Sequence, residues 1–300
     1  MNQDNLKTII EQVLREMNIQ SDSPSAVSAA VPTAAADGVC GEPAPDGGWI
    51  PDITEIDIRK QYLVDNPEHG EEYAALKAYA PCRLGIGKAG ARYKTEPLLQ
   101  FRAAHSAAQD AVFSDVDNAF LERMNLFTVQ TQCDSKDTYL TRPDLGRRLS
   151  EEARQTLTAR CKMKPTVQLC VADGLSSAAA SANVGDLLPA IQQGLQRYKI
   201  DMGNPFFVKY ARVGVMDEIS DLLGAEVVCM LIGERPGLIT VESMSAYLAY
   251  RATSGMPEAR RTVVSNIHRH GTIPAEAGAH IAEVIKIMLE KKASGVDLKL

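Results

Sequence analysis

The stretch "PTVQLCVADG", residues 165–174, is a short apolar run, and such a run is typical of a buried strand. We expect a helix directly after it, from Ser176 to Tyr198. A buried strand that leads straight into a helix is the repeating unit of a parallel sheet. This stretch therefore makes an α/β fold the first expectation.

The same alternation continues towards the end of the chain. The further predicted strands are "PFFVKYARV" (205–213), "AEVVCMLIG" (225–233) and "RTVVSNI" (261–267). The predicted helices are "MDEISDLLG" (216–224), "VESMSAYLAYRA" (241–252) and "PAEAGAHIAEVIKIMLEKKA" (274–293). Because the strands are apolar throughout rather than alternating, we predict a doubly wound, mainly parallel sheet covered by helices on both faces.

The rest of the chain divides into three predicted segments before this α/β domain of residues 151–300. Residues 1–20 form an amphipathic helix, residues 21–48 a flexible linker rich in Ala, Ser, Pro and Gly, and residues 49–150 a mainly helical region. The apolar stripe of the first helix consists of Leu6, Ile9, Ile10, Val13, Leu14 and Met17. Because so short a helix is marginal alone in water, it favours docking onto a partner, and folding back on its own domain is the alternative.

The composition excludes several classes of protein. A net charge of −6 and a pI near 5.5 argue against a nucleic-acid partner. No stretch approaches the roughly 18 apolar residues of a membrane span, and charges interrupt any signal-peptide core near the N-terminus. The six cysteines form no C-x-x-C pair, so we expect free, mostly buried thiols in a reducing compartment. A cytoplasmic protein is the default expectation.

The loops after the predicted strands form the best candidate site. In sheets of this kind, ligands bind beyond the carboxyl ends of the strands. The four loops are "ADGLSS" (172–177), "ARVG" (211–214), "GERPG" (233–237) and "SNIHRHG" (265–271). We expect them to converge if the strands are adjacent. The charged pair Glu234 and Arg235 then lies at a ligand edge, with a helix-start turn as the alternative.

The motif "GIGKAG", residues 85–90, matches G-x-G-x-x-G but lacks its context. A dinucleotide-binding loop needs a buried strand before it and an apolar helix after it, and neither pattern is present. We interpret it as a Gly-rich turn flanked by Arg83, Lys88 and Arg92. These cations either contact a partner or an anion, or are simply solvated.

No catalytic constellation stands out in the sequence. His268 and His270 could share a face of an extended segment, but no cluster of Cys or carboxylates accompanies them as metal ligands. His105 on a predicted helix is interpreted as structural, and Arg147–Arg148 could face a partner or solvent. No Ser-His-Asp set can be selected. The domain therefore looks like one that holds a ligand while the chemistry is done elsewhere.

Several motifs resemble those of a known family. In order, "RLGIGKAGARYKTEPLLQFRAAHSAAQDAV", "YLTRPDLGRRLS", "VQLCVADGLSS", "GNPFFVKYARV", "IGERPGL" and "SNIHRHGTIPAEAG" resemble the small (light) subunits of ethanolamine ammonia-lyase, over about residues 80 to 296. The resemblance implies a Rossmann-like fold and an adenosylcobalamin-dependent enzyme that converts ethanolamine to acetaldehyde and ammonia by a radical mechanism. It also implies a large-subunit partner, whose TIM barrel holds the substrate and most catalytic groups.

The resemblance also implies three cofactor contacts. They are the backbone amide of Val213 in "ARVG", Glu234 in "GERPG" and Val263 in "RTVVSNI". Family members can have cysteine at the last position, and only a backbone contact survives the change to valine. Because no D-x-H-x-x-G motif occurs, no histidine replaces the cofactor's own lower base, and base-on cobalamin is expected.

Packaging follows from the resemblance as well. The family's N-terminal extension is linked to a protein-shelled bacterial microcompartment, so we expect the helix of residues 1–20 to bind a shell protein. Two other functions remain as alternatives: a nucleotide-binding oxidoreductase on the same fold, and a non-catalytic scaffold targeted by the N-terminal helix.

Overall fold

The computed structural model describes residues 52–53, 56–79 and 82–299. They fall into two compact units, whose boundary lies between Ser106 and Ala107. The predicted helix of residues 1–20 and linker of residues 21–48 lie outside the described residues.

The smaller unit consists of short elements before this boundary. Helix α1 is Gly70–Lys77, and the two-residue strands β1, Lys88–Ala89, and β2, Arg92–Tyr93, pair in antiparallel fashion. Gly90, with φ of +64°, occupies the turn between them, where a left-handed backbone suits glycine. Helix α2, Thr95–Phe113, crosses the boundary between the units.

The larger unit is built on a six-stranded sheet in the order β3-β5-β4-β6-β7-β8. The strands are β3 Phe127–Gln130, β4 Val167–Ala172, β5 Phe206–Lys209, β6 Val227–Gly233, β7 Met244–Tyr250 and β8 Thr262–Ile267. The three pairings among β3, β5, β4 and β6 are parallel. β7 is antiparallel to both β6 and β8, so the sheet is mixed.

Helices cover the sheet on both faces. The helices of this unit are α3 Asn118–Arg123, α4 Lys136–Thr141, α5 Glu151–Arg160, α6 Ser177–Arg197, α7 Val215–Leu223 and α8 Pro274–Lys291. A first core packs α6 and α8 on one face, through residues such as Leu187 and Ile281. A second core packs α5 and α7 on the other face, through residues such as Leu157 and Ile219. An α/β fold with helices on both faces is thus confirmed.

The predicted helix of residues 241–252 was wrong, because Met244–Tyr250 is strand β7. Its side chains alternate between the cores, since Met244, Ala246 and Leu248 enter the first core while Tyr247 and Ala249 face the second. A short apolar run does not distinguish a buried strand from a helix. Because residues 234–243 are too few for a crossover to a parallel strand, β7 pairs with β6 in antiparallel fashion, and the predicted mainly parallel sheet is corrected to a mixed one.

Strand β3 was also missed by the sequence patterns. It lies within residues 49–150, for which mainly helices were predicted, yet it pairs with β5 along its whole length. Four residues are too few for a reliable period-2 pattern. No helix in the described part of the chain is long and apolar enough to span a membrane.

Candidate functional site

The four predicted loops lie at one edge of the sheet. Strands β4, β5 and β6 are parallel neighbours, and β8 runs in the same direction because two antiparallel pairings separate it from β6. The carboxyl ends of all four strands therefore meet at this edge. We call the four loops, residues 172–177, 211–214, 233–237 and 265–271, the rim.

Asp173 joins the first two rim loops. The residue is 1% exposed, and its carboxylate accepts three backbone hydrogen bonds. Oδ1 accepts from Gly174 N at 2.8 Å and Ala211 N at 3.2 Å, and Oδ2 accepts from Tyr210 N at 2.8 Å. Burial raises the pKa of Asp173 to about 6, although the three N–H groups and Lys136 favour the charged form.

Close backbone contact joins the first and third rim loops. Leu175 N donates to Gly233 O at 3.0 Å, and Ser176 Oγ donates to Val241 O at 2.6 Å. A Cβ at Gly233 would collide with the carbonyl oxygens of Ser176 and Asp173. Glycine is therefore required at the end of β6, and it brings the start of the Glu234 loop against the Asp173 loop.

Glu234 is held by a tyrosine of the neighbouring strand. Tyr247 Oη donates to Glu234 Oε1 at 2.9 Å, and Glu234 N donates to Ser243 O at 3.0 Å. Burial and the nearby Glu234 carboxylate raise the pKa of Tyr247 to about 12, so the phenol stays a donor at neutral pH. Oε2 of Glu234 has no hydrogen-bond partner among the described residues and remains available to a ligand.

Val263 lies beside the same tyrosine. It is directly opposite Tyr247 in the pairing of β7 with β8, and residues opposite each other project from the same face of a sheet. Val263 is 45% exposed. The structure therefore brings two of the three predicted contact residues, Glu234 and Val263, together around Tyr247.

Val213 lies in the loop after β5 and offers a free backbone donor. Its side chain is half-buried against the second core, while its N–H has no partner among the described residues. The loop is fixed on either side, because Arg212 N donates to Gly146 O at 2.8 Å and Met216 N donates to Val213 O at 3.1 Å. Strand β4 separates the strands that precede Val213 and Glu234.

The structure adds two residues to the site that the sequence patterns did not single out. Tyr247 was hidden because its segment was taken for a helix, and strand alternation places it on the face of Val263. Asp173 lay in a predicted rim loop, but a carboxylate that accepts backbone N–H groups from another loop leaves no local sequence signal.

The other residues considered from the sequence have simpler environments. Arg235 is exposed, and no described residue pairs with it. His268 is buried, with Nε2 2.9 Å from Asn266 Oδ1 and Nδ1 accepting from His270 N at 3.3 Å, and burial lowers its pKa. Both ring nitrogens are thus used within the loop.

The remaining cations and thiols differ in their surroundings, and Arg147 packs against Gly214 of the second rim loop. "GIGKAG" forms the turn into the β1–β2 hairpin, and Arg83 lies over the ring of Phe101 at 4.6 Å. His105 and Arg147–Arg148 are exposed. The five cysteines of the described residues are free, and four of them are buried. Within the same residues, no group of three or more His, Cys, Asp or Glu could hold a metal ion.

Comparison with known proteins gives one consistent family. Residues 70–299 match the family model described as "Ethanolamine ammonia-lyase light chain (EutC)". The chain is 58% identical to an ethanolamine ammonia-lyase small subunit of Clostridium tetani, with 98% of each chain covered. It is 54% identical to that of Clostridium perfringens and 53% identical to that of Listeria monocytogenes serovar 1/2a, each over 100% of both chains.

Proposed function

The chain belongs to the family of ethanolamine ammonia-lyase small subunits and is a lyase subunit, and on that basis we propose that it acts with a large subunit in converting ethanolamine to acetaldehyde and ammonia. Adenosylcobalamin, when bound, supplies the radical that starts this reaction. We propose that this chain contributes one wall of the cofactor site, on a Rossmann-like sheet.

Two residues of the rim, Val213 and Glu234, fit such a cofactor together with Val263, which lies near the start of β8 and outside the rim loops. The periphery of cobalamin bears amide side chains, which both donate and accept hydrogen bonds. The rim offers a free N–H donor at Val213 and a free carboxylate oxygen at Glu234, and Val263 adds an exposed apolar contact. The hydrogen bond from Tyr247 to Glu234 is the single observation that best supports this assignment, because it fixes an acceptor at the open edge of the sheet.

Val213, Glu234 and Val263 each have a distinct role in this proposal. The Val213 N–H donates to an amide oxygen of the cofactor, and Glu234 accepts from an amide N–H. Val263 packs against the ring edge through its backbone and methyl groups, which its change from cysteine leaves possible. Because His268 uses both ring nitrogens within its own loop, it supports the proposal that the cofactor keeps its own base, in the base-on form.

The large subunit, in this proposal, holds the substrate and most catalytic groups. The rim supports this division, since its described polar groups bind and orient rather than form a nucleophile or an acid–base pair. Closing the rim against the partner would exclude water from the cofactor.

The location is part of the same proposal. We place the enzyme in the cytoplasm, within a bacterial microcompartment, and assign the helix of residues 1–20 to a groove of a shell protein. The apolar stripe that includes Leu6, Ile10 and Met17 has the helix-in-groove spacing that such docking uses.

Two alternative functions predict different results. A nucleotide-binding oxidoreductase would need the glycine-rich loop at the end of a buried strand, whereas "GIGKAG" leads into a two-residue hairpin. A non-catalytic scaffold would bind the shell without any effect on turnover.

One experiment separates these functions. The chain is co-expressed with the large subunit, the complex is purified, and acetaldehyde formation from ethanolamine is measured with added adenosylcobalamin. We expect turnover that requires both subunits and a cobalamin absorption spectrum on the complex. Turnover by the large subunit alone, or a complex without a cobalamin spectrum, would contradict the proposal.

A further inference from the structure

Tyr210 has an unusual backbone conformation at the rim. It directly follows β5 and has a φ of +60°, a left-handed conformation that is costly for a bulky non-glycine residue. Something must hold it there. The two peptide N–H groups at this bend, those of Tyr210 and Ala211, both donate to the carboxylate of Asp173.

The bend sets the direction of the chain into Val213. Tyr210 O accepts from Thr131 Oγ1 at 2.9 Å, and Ala211 O accepts from Tyr139 Oη at 3.1 Å. The carbonyl groups of the bend are therefore fixed from one side and its N–H groups from the other. Asp173 is the acceptor for both N–H groups of the bend. The Val213 N–H lies two residues after Ala211.

The loop that contains Asp173 also contacts the start of the Glu234 loop. Leu175, two residues after Asp173, donates its N–H to Gly233 O. The Asp173 loop thus lies between the two loops that bear the proposed polar contacts, because β4 lies between β5 and β6.

We propose that Asp173 is a positioning residue for the cofactor, whose carboxylate holds the Val213 donor and the Glu234 acceptor at the separation that the cofactor requires. This inference rests on the proposed function of the rim. It assigns to Asp173 no contact with the cofactor itself.

The electrostatics of Asp173 give the inference a distinctive pH signature. The charged or titratable groups near it are Lys136 and Tyr139 of α4 and Tyr210, whose N–H it accepts. Tyr139 in turn lies near Arg212, Cys133 and Glu234. Because burial raises the pKa of Asp173 to about 6, the carboxylate becomes protonated as the pH falls through this value. A neutral carboxyl accepts hydrogen bonds from N–H groups more weakly than a carboxylate does. Cofactor affinity should therefore fall as Asp173 becomes protonated.

Stability follows pH in the opposite direction. Since the pKa rises from 3.8 to about 6 on folding, the folded chain binds more protons than the unfolded chain between these values. This group therefore contributes less to stability as the pH rises through that window. Weaker cofactor binding at acid pH would not arise from a loss of stability caused by Asp173.

The test measures cobalamin affinity of the purified two-subunit complex between pH 5 and 8, by absorption titration. We expect the wild-type affinity to fall below an inflection near pH 6. Asp173→Asn places an amide donor against the Tyr210 N–H, so it should bind about tenfold more weakly at pH 7.5 and show no inflection. Gln168→Met changes a buried polar group at the other end of β4 and should retain both the affinity and the inflection.

The outcomes are distinguishable. A wild-type complex that binds no cobalamin would overturn the proposed function itself. A wild-type complex that binds cobalamin without an inflection near pH 6 would overturn the role of Asp173, even if Asp173→Asn does not assemble. Equal affinities for the wild-type and Asp173→Asn complexes would overturn it as well.

Discussion

Among single residues, Glu234 is the rim carboxylate with one oxygen bonded and the other open to a ligand. Glu234 gives Oε1 to Tyr247 and leaves Oε2 without a partner among the described residues. A side chain held at one oxygen and open at the other is a preorganised acceptor, because little rotamer entropy remains to be lost on binding. Its partner Tyr247 keeps its proton at neutral pH.

Glu234→Ala should weaken cofactor binding by the complex. Removing the acceptor leaves a ligand N–H without a partner, at a cost of about 1–3 kcal/mol, or roughly five- to 150-fold in affinity. Glu226→Ala is the matched control, since Glu226 is an exposed glutamate at the opposite end of β6. Equal cobalamin affinities for the two variants would remove Glu234 from the site.

Tyr247→Phe should have a smaller effect of the same kind. The ring and its packing remain, but Glu234 loses the donor that fixes its orientation, so we expect roughly fivefold weaker cobalamin binding with little change in thermal stability. Tyr250→Phe removes a hydroxyl from the same strand on the other face and should bind as the wild type does. A loss common to both variants would mean that Tyr247 acts through the strand rather than through Glu234.

The sequence patterns identified Glu234 as a site residue but missed Tyr247 and Asp173. Glu234 was nominated because charge at the end of an apolar strand is conspicuous. Tyr247 was not, because its role depends on a strand register that pairs it with Val263. Asp173 was in a predicted rim loop, but the Tyr210 and Ala211 N–H groups that bond to it lie 37 and 38 residues away in sequence.

At the scale of elements, the alternation of strands and helices was predicted correctly for β4, α6, β5, α7, β6, β8 and α8. The exception, β7, changed the sheet from mainly parallel to mixed. "MSAYLAY" contains residues that suit helices and strands alike, and the deciding factor is tertiary, since β6 presents a complete edge that only an adjacent strand can satisfy. A local sequence pattern does not show that the edge of β6 needs a pairing strand.

Gly233→Ala should disturb the junction of two rim loops. The new methyl group would meet the carbonyl oxygens of Ser176 and Asp173, and overpacking of this kind costs about 1–3 kcal/mol. We expect lower unfolding free energy in urea and weaker cobalamin binding. Gly237→Ala, in the same loop, meets no atom closer than 3.8 Å and should do neither. A Gly233→Ala variant with unchanged unfolding free energy and cobalamin binding would show that the loops do not need this close approach.

A buried ion pair joins the first turn of α7 to Arg261, the residue before β8. Arg261 Nη2 lies 2.7 Å from Asp217 Oδ2, and their side chains are 2% and 8% exposed. Arg261→Met should destabilise the chain by about 3–5 kcal/mol, because a buried charge loses its partner. Lys162→Met breaks an exposed pair and should cost less than about 1 kcal/mol. Chemical unfolding measures the loss of stability in both variants. Similar losses would contradict the larger contribution assigned to the buried pair.

At the scale of the whole molecule, the N-terminal segment and the sheet should act independently. The sequence predicts a helix in residues 1–20 that is joined to the remainder by a linker without large apolar periodicity. Deletion of residues 1–20 should therefore leave turnover of the two-subunit complex within about twofold and abolish its association with shell protein. The alternative, a helix folded back on its own domain, predicts loss of folding instead. Co-sedimentation with shells and the acetaldehyde assay distinguish the two.

In our proposal, the carboxyl edge of this sheet forms one wall of a cobalamin site shared with a large subunit. A cryo-electron microscopy structure of the two-subunit complex with bound cobalamin tests it most directly. We expect amide groups of the cofactor within hydrogen-bonding distance of Val213 N and Glu234 Oε2, with Val263 at the ring edge. A cofactor enclosed by the large subunit alone, with Val213 and Glu234 facing solvent, would contradict it.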